Sequence, residues 1–298
     1  MFGVAMVRNE ADIIECFVRH NLSHLDALAI VDHASDDGTC DILRALVAEG
    51  FPIRLGVYDH PAHHQQEILT RLAREAFAQG ADYVFPLDAD EFLKVPSRSN
   101  LERALHFVPA PLSAAIQWQT YVPGAVEQSA FRPADYRDRR VREPDGFHKV
   151  VLTRHFRDAT DAIIGPGSHT VLMKGPGQDT RRDPVRLARI SPKTAALAHF
   201  PVRSTEQLIR KILLGWAAHR AAARSNPSLA FHWRELRDEL VANGEPSVKR
   251  IREIALNYGL PMADWLPAAG IATIDDPLPD MPPARYAHLA KRTSRPAT

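Results

Sequence analysis

The most chemically suggestive stretch of this chain is Leu87-Asp88-Ala89-Asp90-Glu91-Phe92-Leu93. An apolar run delivers two carboxylates two residues apart, which puts both on one side of an extended backbone. Oxygen ligands of this kind suit a hard divalent cation, Mg2+ or Mn2+. Such a cation would bind a diphosphate and neutralise charge on a leaving group. The plainer alternative is a solvated acidic turn at a strand end. A second polar cluster, Asp32-His33-Ala34-Ser35-Asp36-Asp37-Gly38-Thr39, also follows an apolar run. Its carboxylates either accept hydrogen bonds from a base or ribose or form a turn and helix cap, since Ser, Asp, Gly and Thr are all turn formers. Arg8-Asn9-Glu10 ends a third run, as a ligand contact or as a helix cap with a surface ion pair. His60, His63 and His64 have no second ligand pair beside them and their segment contains no Cys, which argues against zinc.

These groups need elements to position them. FGVAMV (Phe2 to Val7), ALAIVDH (Ala27 to His33), IRLGVYD (Ile53 to Asp59) and the apolar part of DYVFPLDADEFL read as four strands. Between them lie three helical patterns. The first has Asn9 as cap, Asp12 in its first turn and Ile13, Ile14, Phe17, Val18 and Leu22 on one face. The second starts near Thr39 and stops at Gly50, and the third covers about His64 to Gln79. Strand and helix alternating in this way predict an α/β fold with a mostly parallel sheet covered on both faces. Right-handed crossovers then place the strand carboxyl ends along one edge, where ligands of open α/β sheets bind. Arg8 to Glu10, Asp32 to Asp37 and Asp88 to Glu91 converge there.

The middle of the chain reads differently. Ala114 to Val122, His148 to Phe156 and His169 to Lys174 look like strands joined by long polar connections. FRPADYRDRRVREPDG reads as a loop or lid. Its arginines, Arg132 to Arg142, could grip an anion, but Asp135, Asp138, Glu143 and Asp145 are interspersed and favour a solvated loop. Ser204 with Gln207 is a capping box that opens a helix over Thr205 to Arg224, and two more helices cover Phe231 to Asn243 and Pro246 to Tyr258. The proline-rich stretch from Asp275 is expected to be extended and flexible.

Composition narrows the function classes. Lys plus Arg is 37 and Asp plus Glu is 36 in 298 residues, a formal net charge of +1. Duplex binding usually leaves a basic excess, so nucleic acid is not the expected partner. Cys16 and Cys40 form no disulfide framework, and a reduced, cytoplasmic setting is the expectation. No stretch of about 18 apolar residues is present to span a bilayer. A peripheral membrane contact stays open.

VRNEADIIECFVRHNLSHLDALAIVDHASDDGT followed by LDADEFL resembles the family 2-type glycosyltransferases, in the subgroup whose acidic motif runs D-x-D-E-F. AHFPVRSTEQLIRKILLG resembles that subgroup's later H-[YF]-x-x-R-S-x-x-x-x-x-x-K segment. The matches span residues 3 to 216 in the expected order. The resemblance implies a glycosyltransferase A-type fold with a nucleotide-sugar-binding half (1–110), an acceptor half (111–224), C-terminal helices (225–274) and the tail (275–298). It implies a divalent metal, Mn2+ or Mg2+, held by Asp88, Asp90 and His199, with Asp90 in direct contact. It places Arg8, Asn9, Glu10, Asp32, Asp36 and Asp37 around the nucleoside. Gln66 or its neighbour Gln65 would face the nucleotide, and Arg203 and Lys211 the diphosphate. His169 matches a recurrent histidine of the family. For His199, Arg203 and Lys211 the alternatives are a core histidine bonded to backbone and an ordinary solvated helix face.

The function so implied is transfer of a sugar, of the hexosyl type and with inversion, from a UDP-sugar to a glycan or lipid-linked glycan in cell-surface polysaccharide synthesis. Inversion needs a carboxylate base. The Glu-Asp pair that often supplies it in this family has no clean counterpart, and Glu91 and Asp179 are the weak candidates. A catalytically silent sugar-nucleotide-binding module is the competing expectation.

Overall fold

The β-branched and aliphatic runs near the start of the chain form parallel strands, buried except at the sheet edge Ile53–Val57. The computed structural model describes residues 1–111, 113–124, 131–174, 181–221, 231–279 and 284–291. Strand β1 (Phe2–Val7) leads through α1 (Ile14–Asn21) to β2 (Ala27–Asp32), then through α2 (Thr39–Ala48) to β3 (Ile53–Val57) and through α3 (Gln65–Ala78) to β4 (Val84–Pro86). All neighbours in the order β3-β2-β1-β4 are parallel. Val7 lies beside Asp32, and Asp32 beside Val57, so Arg8, His33 and Tyr58 leave the sheet along one edge. This is the mostly parallel, helix-covered sheet that the alternating pattern predicts.

Beyond β4 the chain runs through β5 (Glu91–Lys94), α4 (Arg98–His106), β6 (Ser113–Thr120), β7 (Asp138–Arg140) and β8 (His148–Val151). Next come α5 (Arg154–Asp158), β9 (Ile163–Ile164), β10 (Val171–Lys174), β11 (Arg182–Pro184), β12 (Leu187–Arg189) and β13 (Ala196–His199). The C-terminal part holds α6 (Thr205–Ala221), α7 (Phe231–Asn243), α8 (Val248–Leu256) and β14 (Thr273–Asp275). The sheet extends past β4 because Val84 and Leu152 exchange backbone hydrogen bonds at the end of β8. β8 pairs antiparallel with β6, β6 pairs parallel with β13, and β13 pairs antiparallel with β5. Phe17, Phe85, Phe92, Tyr121 and Phe200 are packed fully buried between this sheet and its helices. Leu208, Ile212, Leu236, Ile251 and Ile254 form a separate core under the C-terminal helices.

Several expectations change. The acidic motif does not end a single strand: Asp88 to Asp90 make a turn, and Glu91–Lys94 begins a new strand, β5. Asn9 does not cap α1, which starts at Ile14 without a side-chain cap. Asn9 instead takes a left-handed conformation (φ 57°) and binds the backbone N–H of Asp36. Asp12 lies before the helix. The stretch His148 to Phe156 is a strand only to Val151, because Thr153 then caps the short α5. The Arg-rich loop contains β7, paired with β14. Part of the proline-rich stretch is held in place: the backbone N–H groups of Arg285 and Tyr286 both bind Glu15, and that of Lys291 binds the Asp37 carbonyl. Gly38 (φ 97°) has no room for a Cβ, because the Leu289 carbonyl lies against it.

His20, on α1, is largely buried and its Nε2 lies 2.7 Å from the Leu93 carbonyl oxygen. Burial lowers its pKa to about 4. The folded chain keeps the ring neutral while the unfolded chain protonates near the ordinary value, so stability is lost as pH falls through this window. His20→Gln is expected to reduce the loss between pH 6.5 and pH 4 by up to about 3 kcal/mol. Urea unfolding across that range checks it, and an unchanged pH slope would refute it.

Candidate functional site

The carboxyl ends of β1 and β2 are laced together. Asn9 N–H donates to Ser35 Oγ (2.9 Å), Glu10 N–H to Thr39 Oγ1 (2.8 Å) and Ala11 N–H to Asp37 Oδ2 (3.0 Å). The other Asp37 oxygen caps α2 by accepting from the Thr39 N–H and hydroxyl. Asp37 is therefore a turn and cap residue, and Asn9 a brace. Asp36 is exposed, with Arg210 Nη2 3.4 Å away. Asp32 is buried, accepts the Ser35 N–H on Oδ2, and leaves Oδ1 without a partner among the described residues. Arg8 Nε and His199 Nδ1 are likewise buried without one. Buried polar groups are almost always satisfied, so orphans at the ligand edge of an α/β sheet point to a ligand.

The acidic turn is built on paired charges. Asp88 Oδ1 accepts from Gln65 Nε2 (2.9 Å) and Oδ2 from Lys149 Nζ (2.5 Å). Asp90 Oδ2 accepts from Lys211 Nζ (2.6 Å), and His199 Nε2 lies 3.9 Å from it. Glu91 is sealed in: it accepts the Asp88 N–H and the Trp118 indole N–H, with Lys149 Nζ at 3.4 Å. It holds the turn and cannot reach a substrate, so it is not the base. Asp179 lies outside the described residues. Gln65, not Gln66, touches Asp88. Gln66 contributes its carbonyl to the Thr70 hydroxyl within α3.

Arg203 closes the site from the other side. Its guanidinium binds Glu10 (2.5 Å) and Asp12 (2.6 Å), and the Tyr136 hydroxyl donates to its carbonyl. Ser204 Oγ accepts the Gln207 N–H at the start of α6, which carries Lys211 into the cluster, while the Gln207 side chain accepts the N–H of Arg203 and not that of Ser204. The His199 ring stacks on Trp118 at 4.1 Å between centroids. His169 binds the His148 carbonyl (2.6 Å) and meets the Trp118 edge. His33 Nε2 lies 2.6 Å from the His60 carbonyl oxygen, and His64 Nδ1 lies 2.5 Å from the Tyr58 hydroxyl.

Burial sets the protonation states. It raises Glu91 to about 8 and, helped by Asp90 and Asp12 and opposed by Arg203, Glu10 to about 7. It lowers His199 to about 3 and His169 to about 4. Burial also works against charge on Asp90, but Lys211 and Arg203 outweigh it and hold the carboxyl below its usual range. Burial likewise opposes the Lys149 charge, yet Asp88 and Glu91 push that group up to about 12.

The resemblance nominates Asp88, Asp90 and His199 for a divalent cation. Their donor types suit one, but their arrangement does not. Each carboxylate already carries an ammonium group, and among the described residues no three His, Cys, Asp or Glu side chains come together as a cation site. Lys149 and Gln65 are the site residues that sequence reasoning missed or ranked second. A lysine inside the apolar run HKVV was the available signal, since lysine is almost never fully buried unpaired.

No family model and no curated protein matches the sequence. Among solved structures the chain is similar to a mannosyltransferase from Pyrobaculum calidifontis in complex with GDP-Man and Mn2+, at 21% identity and TM-score 0.29 over 42% of this chain and 35% of that one. It is similar to GalNAc-T7 with UDP, GalNAc and Mn2+, at 12% identity and TM-score 0.40 over 83% of this chain and 55% of that one. A Desulfovibrio desulfuricans G20 protein described as a nucleotide-diphospho-sugar transferase is similar at 13% identity and TM-score 0.32, over 82% and 98%. The chain thus spans between a third and a little over half of the first two proteins. No helix among the described residues is long and apolar enough to cross a membrane.

Arg203 is fully buried with two acidic partners. Arg203→Ala is expected to cost about 3–5 kcal/mol, because it strands Glu10 beside Asp90 without its counter-charge. Urea unfolding measures this, and a cost below about 1 kcal/mol would mean the clamp behaves as a surface pair.

Proposed function

We propose that this chain is a glycosyltransferase of the A-type fold that takes a nucleotide-sugar donor and passes the sugar to an acceptor hydroxyl. The observation that carries the reading is the convergence of three strand ends on one edge of the sheet. Arg8 and Asp32 there hold buried unpartnered polar atoms, and the Asp88–Asp90 turn is paired with two ammonium groups. A site of this charge suits a leaving nucleoside diphosphate, whose growing negative charge needs fixed cations nearby. Lys211 is the group that would supply it, while Arg203 stays buried in its clamp with Glu10 and Asp12. Arg8 and Asp32 would take the nucleoside, and Gln65 orients the exposed side of Asp88.

The reaction would break the bond between the anomeric carbon and the diphosphate oxygen, form one to the acceptor oxygen, and release the hydroxyl proton to a base. By resemblance the donor is a UDP-sugar of the hexosyl type, the outcome inversion, and the acceptor a glycan or lipid-linked glycan of a cell-surface polysaccharide. Two free thiols, Cys16 and Cys40, suit a reducing cytoplasmic setting.

The full chain should release nucleoside diphosphate from at least one member of a panel of UDP- and GDP-sugars, tested both with Mn2+ and with EDTA. Asp90→Asn should slow that release by about 10²–10³-fold while the melting curve stays cooperative, since it removes the group that orients Lys211 at the developing charge. Tight nucleotide binding with no turnover of any donor would instead favour a silent binding module.

A further inference from the structure

A divalent cation held by an acidic turn needs carboxylate oxygens whose lone pairs point together, at about 2.0–2.1 Å from the metal for Mg2+. Here three of the four carboxylate oxygens of Asp88 and Asp90 are engaged. Asp88 gives one oxygen to Gln65 and the other to Lys149, and Asp90 gives Oδ2 to Lys211. Lys149 cannot step aside. It sits on β8 in register with Ile116 of β6, and its side chain is 2% exposed. No acidic side chains other than Asp88 and Glu91 lie within ion-pair distance of it among the described residues. A buried ammonium without a counter-charge is prohibitive, so Asp88 is committed to it.

Lys211 is different. Its side chain is 20% exposed, on α6, and its Nζ also lies 3.3 Å from the Pro201 carbonyl oxygen and 5.0 Å from the Tyr258 ring centroid. It carries a permanent charge at the mouth of the same cluster. An ammonium is a compact point charge with three donors, which suits phosphate oxygens.

Building on the nucleotide-sugar reading, we propose that Lys149 and Lys211 stand in for the divalent cation. Lys149 neutralises Asp88 from behind, Lys211 meets the donor's diphosphate in front, and donor binding requires neither Mn2+ nor Mg2+. Both carboxylates are occupied by ammonium groups, and no third clustered ligand joins them among the described residues. Lys149 is on this account a positioning residue, while Lys211 touches the ligand.

Calorimetric titration of the full chain with UDP and with GDP, in EDTA and in Mn2+, tests this. The expected result is an affinity that agrees within about threefold between the two conditions, and that Lys211→Met weakens by more than about tenfold in both. Lys211→Arg, which keeps the charge, should recover most of the loss. Affinity that collapses in EDTA and returns with Mn2+ overturns the proposal and leaves the nucleotide-sugar reading intact. Failure of any nucleoside diphosphate to bind in either condition removes both. Should Lys211→Met fail to fold, Mn2+ alone decides the matter through its electron paramagnetic resonance signal. Wild-type protein is expected to leave free Mn2+ unbound below about millimolar concentration, and micromolar binding overturns the proposal.

Discussion

A lysine inside a β-sheet constrains everything around it. Lys149 is buried in a strand of valines, and the free energy of an isolated ammonium there would exceed the stability of the whole domain. The turn carrying Asp88 and Glu91 must therefore fold against β8, and β5 must follow it. Glu91 then fixes Trp118, Trp118 stacks on His199, and His199 lies beside Asp90. Acidic side chains that a sequence displays as a surface motif are in this way built into the core.

The first hundred residues were largely legible. Their strands are apolar runs with clear turn residues after them, and α/β handedness does the rest. The D-x-D turn was found because its residue types are unusual after such a run. Less visible were features that depend on partners distant in sequence. Asp37 and Asp32 look alike in a row of turn formers, yet one caps α2 and the other keeps an oxygen free. Asn9 looked like a cap, but the loop from β2 claims its side chain, and the helix starts four residues later than that position allows. Glu91 was considered as a base because the motif displays it next to Asp90. Alternation along β5 turns it inward to Trp118 and Lys149, where no substrate can reach.

The middle of the chain resisted reading for a related reason. Apart from β6 its strands are two to four residues long, and several sit in small antiparallel pairings whose partners lie far away, as β7 with β14 does. Local pattern cannot specify such pairings. The same holds for the segment around Tyr286, which carries little apolar periodicity. It is secured by hydrogen bonds from Arg285 and Tyr286 to the single carboxylate of Glu15 and by the close approach of Leu289 to Gly38.

The pairing of β13 with β5 joins residues about a hundred positions apart, His199 opposite Glu91. Closing so long a loop carries an entropic penalty that only later contacts offset, so pairings of this kind form late along a folding route. The consequence concerns timing during synthesis: the first half of the sheet has local partners enough to take shape early, whereas the charged cluster comes into being only when the ribosome has released α6.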